Sequence, residues 1–354
     1  MQAPFVGYHP DFLKIVGEDS RIKVIAQDPD GKSRFHEAGV WVPSINQVYI
    51  TSNRMDDQVS LDPLSERVQG LVDMLLIRVG QGGEAEVTML PPSAALPAAN
   101  GACLYNGNLL VCDQGYGESQ TSQLSILDPS MPFSVTPILN NFYGRPFNSL
   151  NDVITLPDPR TDGAKAFILF TDPQYGYEQG FKPSPCLPAQ VYCFDPVTGA
   201  VRVICDGFKS PNGIAIDSTG TKCYVTDTGM IHGSGKINPT RPGHIYLYDI
   251  VFPSNLADGP TLVNRSVFAM TDSGAPDGIK LDTAGNVYAG CFDGVHIWNP
   301  HGTLLGKMLF PSPQSSSGFS GCANFCFIPD GRMVCMSEDR LILVEGLSIQ
   351  GAGL

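Results

Sequence analysis

Short apolar runs alternate with polar turns along most of this chain. Six of them share one layout: a polar turn, an apolar strand, then small or acidic residues at the strand's end. They are GVWVPSINQVYITSN (39–53), GACLYNGNLLVCDQG (101–115), NDVITLPDPRTDGAKAFILFTDPQYG (151–176), NGIAIDSTGTKCYVTDTG (212–229), DGIKLDTAGNVYAGC (277–291) and CANFCFIPDGRMVCMSE (322–338). Such a recurrence predicts one supersecondary unit copied around a ring. From 101 onward the pattern is strand, tight turn, strand. The turns Asn106-Gly107, Thr198-Gly199, Ser218-Thr219-Gly220, Ala284-Gly285-Asn286 and Asp330-Gly331 supply residues that tolerate positive φ. The runs KCYVTD, NVYAGC and HIYLYDI are rich in β-branched and aromatic residues, and no βαβ alternation appears. Six four-stranded units of about 55–60 residues each account for the length, which predicts an all-β ring of the propeller type.

The remaining segments fit around that ring. No Ser/Gly-rich linker or charge block splits the chain, so residues 1–354 are expected to form a single domain. Residues 1–36 read as a lead-in segment, in which RIKVIAQD (21–28) is a strand expected to pair with the last unit and close the ring. ERVQGLVDMLLIRV (66–79) has helical periodicity, but a strand over LLIRV fits the blade rhythm better. QGGEAEVTMLPPSAALPAAN (80–100) reads as a connection rich in Pro, Ala and Gly.

Composition narrows the function classes. The net charge is −13 and no basic patch stands out, which argues against nucleic acid as a partner. No apolar run approaches the ~18 residues of a membrane helix, so no membrane partner is expected. The ten cysteines form no CxxC pair and mostly alternate with strand residues, as buried free thiols do. The N-terminal MQAPFVGYHPDF lacks a charged start and an apolar stretch. A cytosolic location is therefore expected, with the sequon Asn264-Arg265-Ser266 relevant only if the protein is secreted.

Oxygen-bearing side chains open four of the units: Glu37, Asn151, Asn212 and Asp277. Taken singly, Asn212-Gly213 and Asp277-Gly278 read equally well as turn residues, Asn151-Asp152 as a cap, and Glu37 as a solvated edge charge. Taken together they share one phase of the repeat, at the start of the innermost strand, which a propeller arranges around its central channel. Oxygen donors suit calcium or magnesium, whereas zinc prefers His and Cys. His36, His244, His296 and His301 have no metal-ligand spacing, and neither a GxSxG elbow nor a phosphate loop is present.

FHEAGVW (35–41), SLNDV (149–153), FTDPQYG (170–176), SPNGIAID (210–217), YVTDTG (224–229) and PDGIKLDTAGNVYAG (276–290) resemble the SMP-30/gluconolactonase/luciferin-regenerating family, its fungal lactonohydrolases in particular. The resemblance implies a six-bladed β-propeller with a central metal-binding channel. It implies Ca2+ or another divalent cation on Glu37, Asn151, Asn212 and Asp277, and hydrolysis of a lactone. Asp277 would act as ligand and general base. Asn151 and Asn212 would hold the metal and donate to the substrate, and Asp227 would be structural. Many members carry an arginine two residues before the Asn of the ND motif. Ser149 stands there in this chain, which puts a sugar-acid substrate in doubt. Tyr175, Gln114, Asn148 and Arg145 are the expected substrate-binding residues.

The partner is then a small molecule, its identity set by entrance loops at 54–100, 177–190 and 230–243. Two alternatives stay open. The same channel could run an isomerisation or cyclisation of a carbonyl compound in secondary metabolism. A non-catalytic binding propeller with a structural ion is the other.

Overall fold

The computed structural model describes residues 4–55, 71–93, 95–312 and 319–353. Six antiparallel sheets are arranged as the blades of a propeller. Their innermost strands are Glu37–Val42, Ala99–Tyr105, Val153–Pro157, Pro211–Ile216, Ile279–Leu281 and Asn324–Ile328. Each innermost strand touches those of the blades on either side, so the six form a closed ring. The lead-in strand Val16–Gln27 pairs with Arg340–Leu347 as the outermost strand of blade 6. The ring is thereby completed by both ends of the chain, and Phe5–Gly7 adds an outer strand to blade 5.

Alternation of side chains along each strand explains why the blades stack. In Met74–Val79 of blade 1, Leu75 and Ile77 pack toward Cys326, Val334 and Leu343 of blade 6. Met74 and Leu76 point the other way, toward Ala102, Leu109 and Val111 of blade 2. Corresponding apolar clusters fill the junctions of blades 2 and 3, 3 and 4, 4 and 5, and 5 and 6. The hairpins carry the expected turn chemistry: Asn106 and Gly107 have φ of 50° and 79°, and Asp330 and Gly331 have 68° and 63°.

The strand reading of LLIRV holds within Met74–Val79, while residues 66–70 lie outside the described residues. The connection expected at 80–100 differs: Ala85–Met89 within it is the outermost strand of blade 1, paired with Met74–Val79. A turn through Gly83, at φ 74°, folds this exposed strand back, so its signal lies in the turn and not in apolar content. All ten cysteines are free thiols. Among the described residues no helix is long and apolar enough to cross a membrane.

A repeated tie fixes the start of the innermost strands. The aspartate ending the second strand of a blade accepts backbone N–H groups from just before the first. Asp113 Oδ1 accepts from Ala98 (2.9 Å) and Gly115 (3.2 Å). Asp172 accepts from Asn148 (3.1 Å) and Ser149 (2.7 Å). Asp227 accepts from Lys209 (3.0 Å), Ser210 (2.8 Å) and Gly229 (3.1 Å), a structural role. Threonines tie neighbouring blades together: Thr51, Thr171 and Thr226 donate to the backbone carbonyls of Asn100 (3.1 Å), Asn212 (2.8 Å) and Asp277 (2.8 Å).

Burial pushes the Asp113 carboxyl up to about 7 from 3.8, against the opposing pull of its backbone N–H bonds. A raised folded-state value means stability that is complete below the unfolded value and lost as pH rises through about 7. An amide at this position keeps the same acceptor atom without the charge. Urea denaturation should therefore show wild type losing stability relative to Asp113→Asn between about pH 5 and pH 8, by on the order of 1–3 kcal/mol. A pH-independent difference would mean that the carboxylate stays ionised in the fold.

Candidate functional site

Every blade contributes one oxygen-bearing residue at or just before the start of its innermost strand: Glu37, Asn100, Asn151, Asn212, Asp277 and Asn324. Irregular pairing helps to aim them. Strand register shifts directly after Glu37, between Ala38 and Val40, and across the stretches holding Asn100 and Asn212. A bulge of this kind redirects a side chain out of the pleat. Ala38 and Gly39 both take positive φ, at 68° and 73°, unusual for a buried alanine.

The glycines after these residues are not turn glycines. A Cβ on Gly101 would lie 2.4 Å from the Asn151 carbonyl oxygen, and one on Gly213 would lie 2.6 Å from that of Asp277. Glycine is needed there because the backbones of adjacent blades meet at the hub.

Glu37, Asn100, Asn151, Asn212 and Asp277 line one cavity of about 180 Å³, with His36, Gln114, Tyr175 and Thr228 beside them. Glu37, Asn151 and Asn212 are 2%, 4% and 5% exposed. Among the described residues, three buried oxygens of this cavity have no hydrogen-bond partner: Asn100 Oδ1, Asn151 Oδ1 and Asp277 Oδ1. Glu37 Oε2 is held by Asn324 Nδ2 at 2.9 Å, and Asn324 in turn is 3.4 Å from Lys280 Nζ. Asn212 Nδ2 donates to the Tyr175 hydroxyl at 3.4 Å.

Electrostatics follow from crowding acids in a dry place. Burial, and then the Glu37 charge, raise the Asp277 carboxyl well above its ordinary range, and burial raises Glu37 as well. Burial disfavours charge on His36, but Glu338 at 2.8 Å, with Glu37 and Asp277 nearby, outweighs it and pushes the imidazole up to about 10. Burial and the charge of Asp277 drive the Tyr175 phenol far up, so it is a neutral donor.

These residues fit a hard divalent cation. Two carboxylates that repel one another and amide oxygens left without donors are what such an ion relieves. Among the described residues no cluster of three or more His, Cys, Asp and Glu side chains has metal-holding geometry. The donor set here is instead two carboxylates completed by amides.

Two of the four expected substrate residues, Tyr175 and Gln114, line this cavity. The other two do not. Asn148 turns its amide nitrogen to the Leu187 carbonyl (3.1 Å), and Arg145 is exposed on a short ribbon formed by Asn141–Phe142 and Arg145–Pro146. Ser149 is occupied with architecture: its hydroxyl bonds Gln114 Oε1 and accepts the Gly176 N–H, both at 3.0 Å. Sequence reasoning missed Asn100 and Asn324. The signal for Asn100 was its place directly before the second unit, matching Asn212 before Gly213. The signal for Asn324 was hidden inside an apolar run. Arg54, Leu71, Val72, Ala98 and Phe181 also line the cavity, and no motif marked them. Residues 56–70 of the first expected entrance loop lie outside the described residues.

Residues 72–325 match the SMP-30/Gluconolactonase/LRE-like region. The chain belongs to this family. It is 31% identical over 307 residues to lactonohydrolase oryL of Aspergillus oryzae, covering 81% of this chain and 63% of that one. The chain thus spans less than two thirds of that relative's length. The fold matches a gluconolactonase from Xanthomonas campestris with a TM-score of 0.70 and 21% identity, over 98% of this chain and 95% of that one. It also matches a calcium-binding protein, regucalcin, from Agrobacterium tumefaciens, with a TM-score of 0.57 and 14% identity, over 93% and 95%. At such identities these two likenesses carry the propeller fold alone.

The blade-to-blade tie at Asp277 is testable. Thr226 Oγ1 also accepts the Gly213 N–H at 2.8 Å. Thr226→Val should cost about 1–3 kcal/mol of stability in urea, because two buried backbone groups lose their partner without a change in side-chain shape. A loss under about 0.5 kcal/mol would show the tie to be dispensable.

Proposed function

We propose that this chain hydrolyses a lactone to the corresponding hydroxy acid, using a divalent cation, calcium by preference, held by Glu37, Asn151, Asn212 and Asp277. The observation that carries this reading is the convergence of these four donors from four blades on one cavity, with the Asn151 and Asp277 oxygens buried and unpartnered. Membership of a family that includes lactonohydrolases and gluconolactonases supports it. Asn100 supplies a fifth oxygen from blade 2.

When bound, calcium would supply charge stabilisation for the carbonyl oxygen as the tetrahedral centre forms. The protein's own groups do the rest. Tyr175, kept neutral, accepts the Asn212 amide N–H and so orients that amide, leaving its own O–H free to donate to the substrate. Asp277 accepts a proton from the attacking water as its oxygen bonds to the carbonyl carbon. The acyl carbon–oxygen bond of the ring then breaks, and the proton passes from Asp277 to the departing ring oxygen, leaving an alcohol and a carboxylic acid that ionises in water. A carboxylate that also faces a cation is a weak base, and burial together with the neighbouring Glu37 charge opposes that by raising the Asp277 carboxyl.

Replacing Asp277 with Ala should lower calcium affinity at least about 100-fold by calorimetry and kcat/KM by about 10²–10⁴. Chelation should abolish turnover and calcium restore it. In heavy-oxygen water the label should enter the carboxylate of the product. An unlabelled product would instead assign the channel to isomerisation or cyclisation, and full activity in the chelated protein would remove the cation from the account.

A further inference from the structure

Among the described residues, six of the seven apolar clusters fill junctions between blades. The seventh does not: Leu71, Val72, Ala98 and Phe181, with Tyr116 against them, form a separate group. All four buried members line the cavity that holds Asp277. They come from segments of three blades outside the sheets, so blade packing does not require them to be apolar. Leu71 accepts no exposed role; it is 1% exposed and its backbone N–H bonds the Pro97 carbonyl at 2.7 Å, tying two of these segments together. Phe181 is fixed by its N–H to the Gly176 carbonyl (3.0 Å) and lies under the Arg54 guanidinium, 5.6 Å from the ring centre. Arg54 itself donates to the Gln179 carbonyl at 3.1 Å across the rim.

Leu71, Val72, Ala98 and Phe181 offer a substrate no polar side-chain atom, and Ser149 spends its hydroxyl on Gln114 and Gly176. A sugar lactone seated over the hub would press ring hydroxyls against Leu71, Val72 and Phe181, and a buried hydroxyl without a partner is costly.

We propose that the substrate is a lactone bearing an apolar substituent, alkyl or aryl, seated against Leu71, Val72, Ala98 and Phe181. This rests on the lactonase reading for its reaction but not for its binding preference. The carbonyl end faces the polar hub, and the substituent fills the apolar wall. Polyhydroxylated lactones are poor ligands for the same reason.

The test uses the calcium-loaded protein and γ-lactones that differ only in the ring substituent, from methyl to butyl and phenyl, against hydroxymethyl and a sugar-acid lactone. kcat/KM should rise by about fourfold per methylene until the wall is full. Phe181→Ser should flatten that series, and Val72→Thr, which keeps shape while adding a hydroxyl, should lower the alkyl over hydroxymethyl ratio about threefold or more. The matching lactams, which are not opened, are titrated in parallel by calorimetry. If no lactone is hydrolysed but the butyl lactam still binds more tightly than the hydroxymethyl lactam, the substituent preference stands and the hydrolase reading falls. A flat series, or preference for the sugar-acid lactone and its lactam, overturns the proposal.

Discussion

The structure depends on the hydrogen bonds that hold the backbone at the hub, which at Asn100 and Asn212 come from two directions. Asp172 gathers the N–H groups of Asn148 and Ser149, two residues ahead of Asn151, and Asp227 gathers those of Lys209 and Ser210 ahead of Asn212. The threonine preceding each of these aspartates reaches the other way, Thr171 to the carbonyl of Asn212 and Thr226 to that of Asp277. One Thr-Asp pair therefore fixes its own blade's hub residue and the next blade's. Each bond is modest, but leaving a buried backbone group unmade costs more than the bond returns, so the arrangement has few ways to relax. Side chains positioned by such ties, found at three of the six blade junctions, need no partners of their own to stay in place. That is why the hub can present unpartnered oxygens.

Unpartnered oxygens and paired carboxylates in a dry cavity are unfavourable by themselves. The compensation lies outward, where every blade junction is filled by alternating apolar residues that leave water on folding. The outer ring is oily so that the inner ring can be strained and charged. Pairing Val16–Gln27, from the opposite end of the chain, covers the outer edge of blade 6, and the same segment leads on into blade 1, so one stretch of chain joins the two blades.

The period and the hairpin chemistry made the six-bladed ring legible, because both are local properties of the chain. The four hub positions Glu37, Asn151, Asn212 and Asp277 were legible for the same reason: they share a phase of the repeat. Asn324 was not, since an asparagine between Ala323 and Phe325 looks like an interruption of a strand until its bond to Glu37 is seen. The apolar wall was legible only as far as the entrance loops 54–100 and 177–190, which supply its residues. Leu71, Ala98 and Phe181 lie in connections of unlike length with no repeat phase, and only the closure of the ring brings them over one cavity. Asn148 and Arg145, expected at the substrate, do not line the cavity. Asn148 sits near Asn151 in the chain, yet the tie to Asp172 turns its side chain toward Leu187, away from the hub.

One loop joins the polar hub to the apolar wall. The short helix Tyr175–Glu178 carries Tyr175 to Asn212, and the chain then turns so that Phe181 returns beside it. Ser149 anchors the start of that loop through the Gly176 N–H, and Lys182 anchors its end on the Gln120 carbonyl at 3.0 Å. A side chain at Gly176 would meet Lys182 Cγ at 2.4 Å, so the two anchors can close only over glycine. Had Ser149 been an arginine reaching for substrate, the hydroxyl that holds this loop would be gone. The serine that does not line the cavity is thus the one whose hydroxyl holds Gly176, and Gly176 in turn accepts the Phe181 N–H.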